Sequence, residues 1–95
     1  MELRGKIIKD FMYTHVGQSL GYFVMIPENG NYQGKSIVID VTVSTRESNN
    51  PKELTQNLEV SVTTEKEPLP LNAAFWAPDC DYLAEAKNCK ILVHA

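Results

Sequence analysis

The sequence predicts a mainly β fold: a small antiparallel barrel or sandwich of about five strands with one or two short helices. Two observations predict it: apolar and polar residues alternate with a period of two, and clusters of turn-forming residues separate the alternating runs. At 95 residues the chain is the size of one domain, so we expect residues 1–95 to form a single β-rich unit. Five short strands are too few for two large sheets.

The strands are predicted from the pattern of apolar residues. Residues 37–44 and 58–63 alternate between apolar and polar side chains, which is typical of strands with one buried face. Residues 20–27 are apolar on both faces, so this strand is expected at the centre of the sheet. A longer first strand over about residues 3–13 and a short last strand over 89–93 complete the five.

The connections carry their own signals. Residues 28–34 include Asn-Gly and predict a hairpin between the second and third strands. Residues 50–53 (Asn-Pro-Lys-Glu) are typical of a helix start, with an N-cap followed by proline. The proline-rich stretch 65–78 predicts an extended, irregular passage, and residues 79–87 predict a short helix before the last strand.

The first strand also suggests a kind of barrel. Leu3, Gly5 and Ile7 form a Leu-x-Gly-x-Ile opening to a long strand, a pattern that resembles the start of an OB-type barrel. A helix before a short last strand is compatible with the same architecture. The likeness concerns architecture only and implies no function by itself.

Several classes of protein are excluded. The longest uncharged apolar stretch, residues 20–27, is far below the roughly 18 residues that span a bilayer. The first residues contain no apolar run of the kind found in a signal peptide. We therefore expect a cytoplasmic protein without membrane contact, in which the two cysteines are free thiols.

No cofactor or metal site is predicted. Residues 30–36 resemble a phosphate-binding loop, but three rather than four residues separate the glycines, and a strand rather than a helix follows. Cys80 and Cys89 are too far apart for the close ligand pairs of a structural zinc site. No nucleophile has a base beside it in a known arrangement, so we expect no enzymatic activity. A small enzyme or ligand-binding protein built around His15, Tyr32 or Cys80 is the third hypothesis.

The distribution of charge favours a protein partner. Residues 1–46 carry five basic and four acidic side chains, whereas residues 47–95 carry four basic and eight acidic ones. In the acidic half, Phe75 and Trp76 lie in the proline-rich stretch, close to Asp79 and Asp81. If Phe75 and Trp76 are buried, they close one mouth of the barrel. If they are exposed beside the two carboxylates, they can anchor a protein partner. The leading hypothesis is a non-enzymatic protein-binding module, either an inhibitor or an accessory subunit, that binds through these four residues.

Two other kinds of association are considered. An OB-like protein that binds single-stranded nucleic acid would use basic and aromatic residues of the first two strands: Arg4, Lys6, Lys9, Phe11, Tyr13 and Tyr22. The net charge of −3 argues against this alternative, because phosphate neutralisation supplies most non-specific affinity. A short β chain with open strand edges is also suited to self-association as a homodimer or a larger oligomer.

Overall fold

Six strands make up most of the computed structural model, which describes residues 1–47, 51–71 and 80–93. The strands are β1 (Glu2–Val16), β2 (Ser19–Pro27), β3 (Ile37–Glu47), β4 (Glu59–Thr63), β5 (Leu69–Pro70) and β6 (Tyr82–Val93). One 3-10 turn, Pro51–Glu53, lies between β3 and β4. The predicted mainly β class is therefore confirmed.

Five of the strands form a closed ring of backbone pairings. β1 pairs with β2 on one side and β4 on the other, β2 pairs with β3, and β4 pairs with β6, all antiparallel. The ring closes where β3 pairs with β6 in parallel, from Ile37 opposite Tyr82 to Glu47 opposite Cys89, with an irregularity between Val41 and Arg46. The two-residue β5 lies outside this ring and pairs with the start of β6. The arrangement is that of a small barrel with one parallel pair.

The ring encloses one main core because alternate side chains point inward. In β3, Ile37, Ile39 and Val41 are buried, as the period of two predicts. In β4, Val60 and Val62 are buried in the same alternating way. The other buried members of this core are Leu3, Ile7, Phe23, Met25, Leu54, Ala84, Ala86, Cys89 and Ile91.

The second strand is buried on both faces, as predicted. Phe23 and Met25 point into the main core, whereas Tyr22 and Val24 pack on the outside of the ring with Val38. This outer cluster is covered by three half-buried side chains from the β5 region and the start of β6: Leu71, Cys80 and Leu83. The proline-rich passage thus folds, as far as Leu71, over the outer face of β2 and β3.

The predicted helix over residues 79–87 is wrong. Asp79 lies outside the described residues, and β6 runs as a strand from Tyr82 to Val93. Ala, Glu and Lys favour helices, but the stretch 84–87 also alternates, with Ala84 and Ala86 buried and Glu85 and Lys87 exposed. The backbone pairing of this stretch with β3 therefore overrides its local helix propensity.

The shorter connections agree with their turn signals. β2 and β3 form the predicted antiparallel hairpin, and its loop holds Gly30 and Gly34 at φ 81° and 76°, where glycine is favoured. The helix predicted at residues 50–53 is a single 3-10 turn, and Asn50 itself lies outside the described residues. Leu54, directly after this turn, is buried, and its carbonyl accepts a hydrogen bond from the Phe11 amide at 2.9 Å.

Close packing of β1 against β2 predicts that Gly5→Ala is destabilising. A Cβ at position 5 would collide with the carbonyl oxygen of Ile26 and lie 2.7 Å from the Cα of Pro27, so backbone would have to move. We expect the free energy of unfolding, measured by urea denaturation, to fall by about 2 kcal/mol. As a control, Gly17→Asn should change it by less than about 0.5 kcal/mol. At Gly17 (φ 60°) no atom lies within 4 Å, and asparagine tolerates this conformation. Equal effects of the two variants would contradict the close approach.

Candidate functional site

Of the four residues predicted to bind a protein partner, the structure describes Asp81. Phe75, Trp76 and Asp79 lie outside the described residues. The residues that flank their segment are held together, because the amide of Leu71 donates a hydrogen bond to the carbonyl of Asp81 at 3.0 Å. The described residues on either side of 72–79 therefore meet at one place, beside the outer cluster.

Asp81 itself joins the start of β6 to the start of β3. Its carboxylate accepts hydrogen bonds from the amide of Ser36 at 3.1 Å and from the Ser36 hydroxyl at 3.3 Å. The carbonyl of Ser36 in turn accepts from the amides of Asp81 and Tyr82, at 2.9 and 3.1 Å. Asp81 therefore positions the two parallel strands at the point where they begin to pair.

A groove of about 560 Å³ lies next to this point, on the outer face of β3 and β6. Its floor includes the segment 83–87 of β6 and Asp40 of β3, and its wall is formed by residues 65–67 and Leu69. The lining carries four carboxylates (Asp40, Glu65, Glu67 and Glu85) and two ammonium groups (Lys66 and Lys87), so its formal charge is −2. A surface with this excess of carboxylates suits a positively charged ligand.

The groove exists because β6 changes partners along its length. The β4 ladder ends at Thr63 opposite Asn88, and the β5 ladder begins at Leu69 opposite Leu83. The connection between β4 and β5 forms the wall, and it is anchored at Thr64. This threonine is buried, and its amide donates to the carbonyl of Met1 at 2.8 Å.

Within the groove, two of the carboxylates have partners inside the protein. Glu65 forms an ion pair with Lys87 at 3.3 Å between Oε1 and Nζ, and both side chains are more than half exposed. Asp40 accepts a hydrogen bond from the hydroxyl of Ser19 at 2.6 Å. The two remaining carboxylates, Glu67 of the wall and Glu85 of the floor, belong to exposed residues.

The residues of the nucleic-acid hypothesis fall into separate groups. Arg4 is exposed and forms an ion pair with Glu59 of β4 at 3.2 Å, and Lys6 lies opposite Glu59 in the same ladder. The ammonium group of Lys9 lies 5.7 Å from the ring centroid of Tyr22, which is only 6% exposed. The basic side chains of β1 therefore lie beside a carboxylate and above a buried ring.

The other two aromatic residues of that hypothesis contact each other. Phe11 and Tyr13 pack edge to face, with ring centroids 4.8 Å apart. Phe11 is half-buried against the main core, and Tyr13 is 41% exposed. Of the three rings proposed for base stacking, Tyr13 is thus the one with substantial exposed surface.

The third hypothesis involved His15, Tyr32 and Cys80, which lie in different environments. His15 belongs to β1, but its side chain is outside the described part of the structure; Cys80 is half-buried in the outer cluster. Tyr32 packs edge to face on Tyr82 at 5.1 Å. Burial raises the pKa of the Tyr32 phenol, and Glu67 and Tyr82 raise it further, so the phenol stays protonated at neutral pH.

Two further kinds of site are absent from the described ranges. Among residues 1–47, 51–71 and 80–93, no three His, Cys, Asp or Glu side chains come together in a way that could hold a metal ion. The same ranges contain no helix with the length and apolar character needed to cross a membrane.

The acidic residues of the groove were not among the site residues predicted from the sequence. Glu65 and Glu67 flank a lysine in the proline-rich passage, and Glu85 alternates with buried alanines. The period of two in 84–87 was the signal that could have placed Glu85 on an outer sheet face. Their convergence with Asp40 depends on the parallel pairing of β3 and β6, which has no local sequence signal.

The position of Asp81 predicts a structural effect of its removal. Asp81→Ala eliminates two hydrogen bonds to Ser36, and we expect the free energy of unfolding to fall by about 1 kcal/mol. Glu85→Ala, at an exposed residue four positions further along the chain, should change it by less than about 0.5 kcal/mol. Urea denaturation of both variants measures the difference. An unchanged stability of Asp81→Ala would show that these hydrogen bonds do not hold the strand starts together.

Comparisons of the chain with protein-family models, with curated proteins and with solved structures found no match.

Proposed function

We propose that the protein is a non-enzymatic protein-binding module, an inhibitor or accessory subunit that takes a basic, extended segment of its partner into the groove. The observation that carries the proposal is the charge of the groove, with four carboxylates against two ammonium groups. Complementary charge steers such a partner toward the groove and sets its orientation there.

The shape of the groove supports an extended ligand. The floor follows β6 over residues 83–87, a length of about 13 Å at about 3.3 Å per residue. Apolar surface is available as well, because Leu69 on the wall is 65% exposed. A segment that contains both basic and apolar residues could place the former on Glu67 and Glu85 and the latter on Leu69.

The aromatic residues of the adjacent segment fit the same proposal. Phe75 and Trp76 belong to the stretch whose flanking residues, Leu71 and Asp81, are hydrogen-bonded to each other near the groove. Large aromatic side chains near a charged rim are frequent anchors of protein interfaces. We infer that they extend the contact beyond the groove.

An OB-type architecture is part of the proposal. The ring of five strands and the position of the groove support it, because OB barrels bind their ligands across the second and third strands and the adjoining loops. In this chain the corresponding surface includes Asp40 of β3. Carboxylates repel phosphates, so the charge of the surface favours a basic protein segment over a nucleic acid.

Reversal of one groove charge tests this function. Glu85→Lys should weaken the binding of a fluorescent peptide of alternating lysine and leucine about tenfold, measured by fluorescence polarisation at about 0.15 M salt. Glu28→Lys makes the same change in net charge at an exposed loop residue that is not part of the groove lining. This control should change the affinity by less than about twofold, because solvent and salt screen distant charges.

The same assay contains the outcomes that would contradict the proposal. Equal weakening by Glu85→Lys and Glu28→Lys would mean that the peptide responds to net charge and not to the groove. Tight binding of a single-stranded oligonucleotide, with an affinity that falls steeply as salt rises, would favour the nucleic-acid alternative. A peptide of alternating glutamate and leucine should not bind.

Removal of the indole tests the contribution of the adjacent segment. Trp76→Ala should weaken the binding of the lysine–leucine peptide about tenfold and lower the melting temperature little, because an interface anchor affects binding more than folding. Thermal denaturation gives the melting temperature, and fluorescence polarisation on the same preparation gives the affinity. A large fall in melting temperature with unchanged affinity would instead show that Trp76 is a core residue.

A further inference from the structure

The acidic groove already contains a positively charged partner for one of its carboxylates. Lys87 lies at one end of the floor segment 83–87, and its Nζ is 3.3 Å from Oε1 of Glu65 in the wall. This ion pair joins the floor of the groove to its wall. A basic residue of a ligand that approaches Glu65 therefore meets the ammonium group of Lys87 there.

The backbone holds both residues of this ion pair at the same end of the groove. Lys87 precedes Asn88, which pairs with Thr63 at the last position of the β4 ladder. In the wall, Glu65 directly follows Thr64, which is buried. The register of the ladder therefore places the two charged side chains within reach of each other.

The ion pair is weak enough for a ligand to replace it. The side chain of Lys87 is 58% exposed and that of Glu65 is 71% exposed, so water and salt screen their attraction. Ion pairs between exposed side chains contribute little to stability, because the ordering of two long side chains offsets most of the attraction. A ligand can therefore displace Lys87 from Glu65 at a small cost in free energy.

We propose that Lys87 is an intramolecular competitor of the ligand: in the free protein its ammonium group occupies the Glu65 carboxylate that a basic residue of the partner takes on binding. This proposal rests on the function proposed for the groove. A ligand whose one basic residue takes Glu65 only exchanges one cation for another there. The gain in affinity therefore depends on further basic residues that reach Glu67 and Glu85, which belong to the same lining.

Non-additive effects of charge removal test the competition. In the wild-type background, Glu65→Gln should weaken binding of the lysine–leucine peptide by less than about twofold, because the lost carboxylate contact is offset by the lost competing ion pair. In the Lys87→Gln background Glu65 is available to the peptide, and the same substitution should weaken binding about threefold or more. Fluorescence polarisation at about 0.15 M salt measures the dissociation constants.

Lys66→Gln is the matched control background. Lys66 lines the same groove, and its removal makes the same change in net charge, but it forms no ion pair with any residue that the structure describes. Lys87 still occupies Glu65 in this background. Glu65→Gln should therefore have an effect of less than about twofold here, as in the wild type.

The outcomes distinguish the competition from the function of the groove. Equal effects of Glu65→Gln in the wild-type and Lys87→Gln backgrounds would overturn the competition and leave the groove as a binding site. Equally enlarged effects in the Lys87→Gln and Lys66→Gln backgrounds would also overturn it, because the peptide would then respond to net charge alone. If neither the wild type nor Lys87→Gln binds the peptide, the function proposed for the groove is wrong, and the competition with it. Far-ultraviolet circular dichroism shows whether each variant is folded, and Lys87→Met is a second variant with the same expected result.

Discussion

The parallel pairing of β3 with β6 is the contact on which the rest of the structure depends. Without it the other pairings would form an open sheet with exposed edges at β3 and β6. In the ring, Ile39 lies opposite Ala84 and Val41 opposite Ala86. The small alanine side chains leave room in the core for the branched residues of β3, so a closed barrel is possible with few residues.

The same pairing determines where charge lies on the outer surface. It brings Asp40 of β3 beside Glu85 of β6, and the connection between β4 and β5 adds further carboxylates from the other side. The β1–β2 turn, by contrast, lies in a stretch without charged residues. The carboxylates that the pairing brings together give the groove its negative charge, and this charge underlies the proposed binding of a basic segment.

Much of the fold follows from local sequence patterns, whereas the closure of the ring does not. The alternation in β3 and β4, the apolar character of β2 on both faces and the Asn-Gly turn were sufficient to predict those elements. The first half of β6 was mistaken for a helix, because Ala, Glu and Lys favour helices when isolated. Its pairing joins residues more than forty positions apart, such as Ile37 and Tyr82, so the groove could not be predicted from local patterns either.

Nuclear Overhauser effects between β3 and β6 test the closed ring most directly. The structure predicts backbone contacts that link Ile39 to Ala84 and Val41 to Ala86, together with the extended backbone typical of a strand over residues 82–87. It also predicts strong sequential effects between Hα and the following amide there, as in other strands. Helical medium-range effects over residues 82–87, or the absence of any contact between the two strands, would contradict the closed barrel and the groove that depends on it.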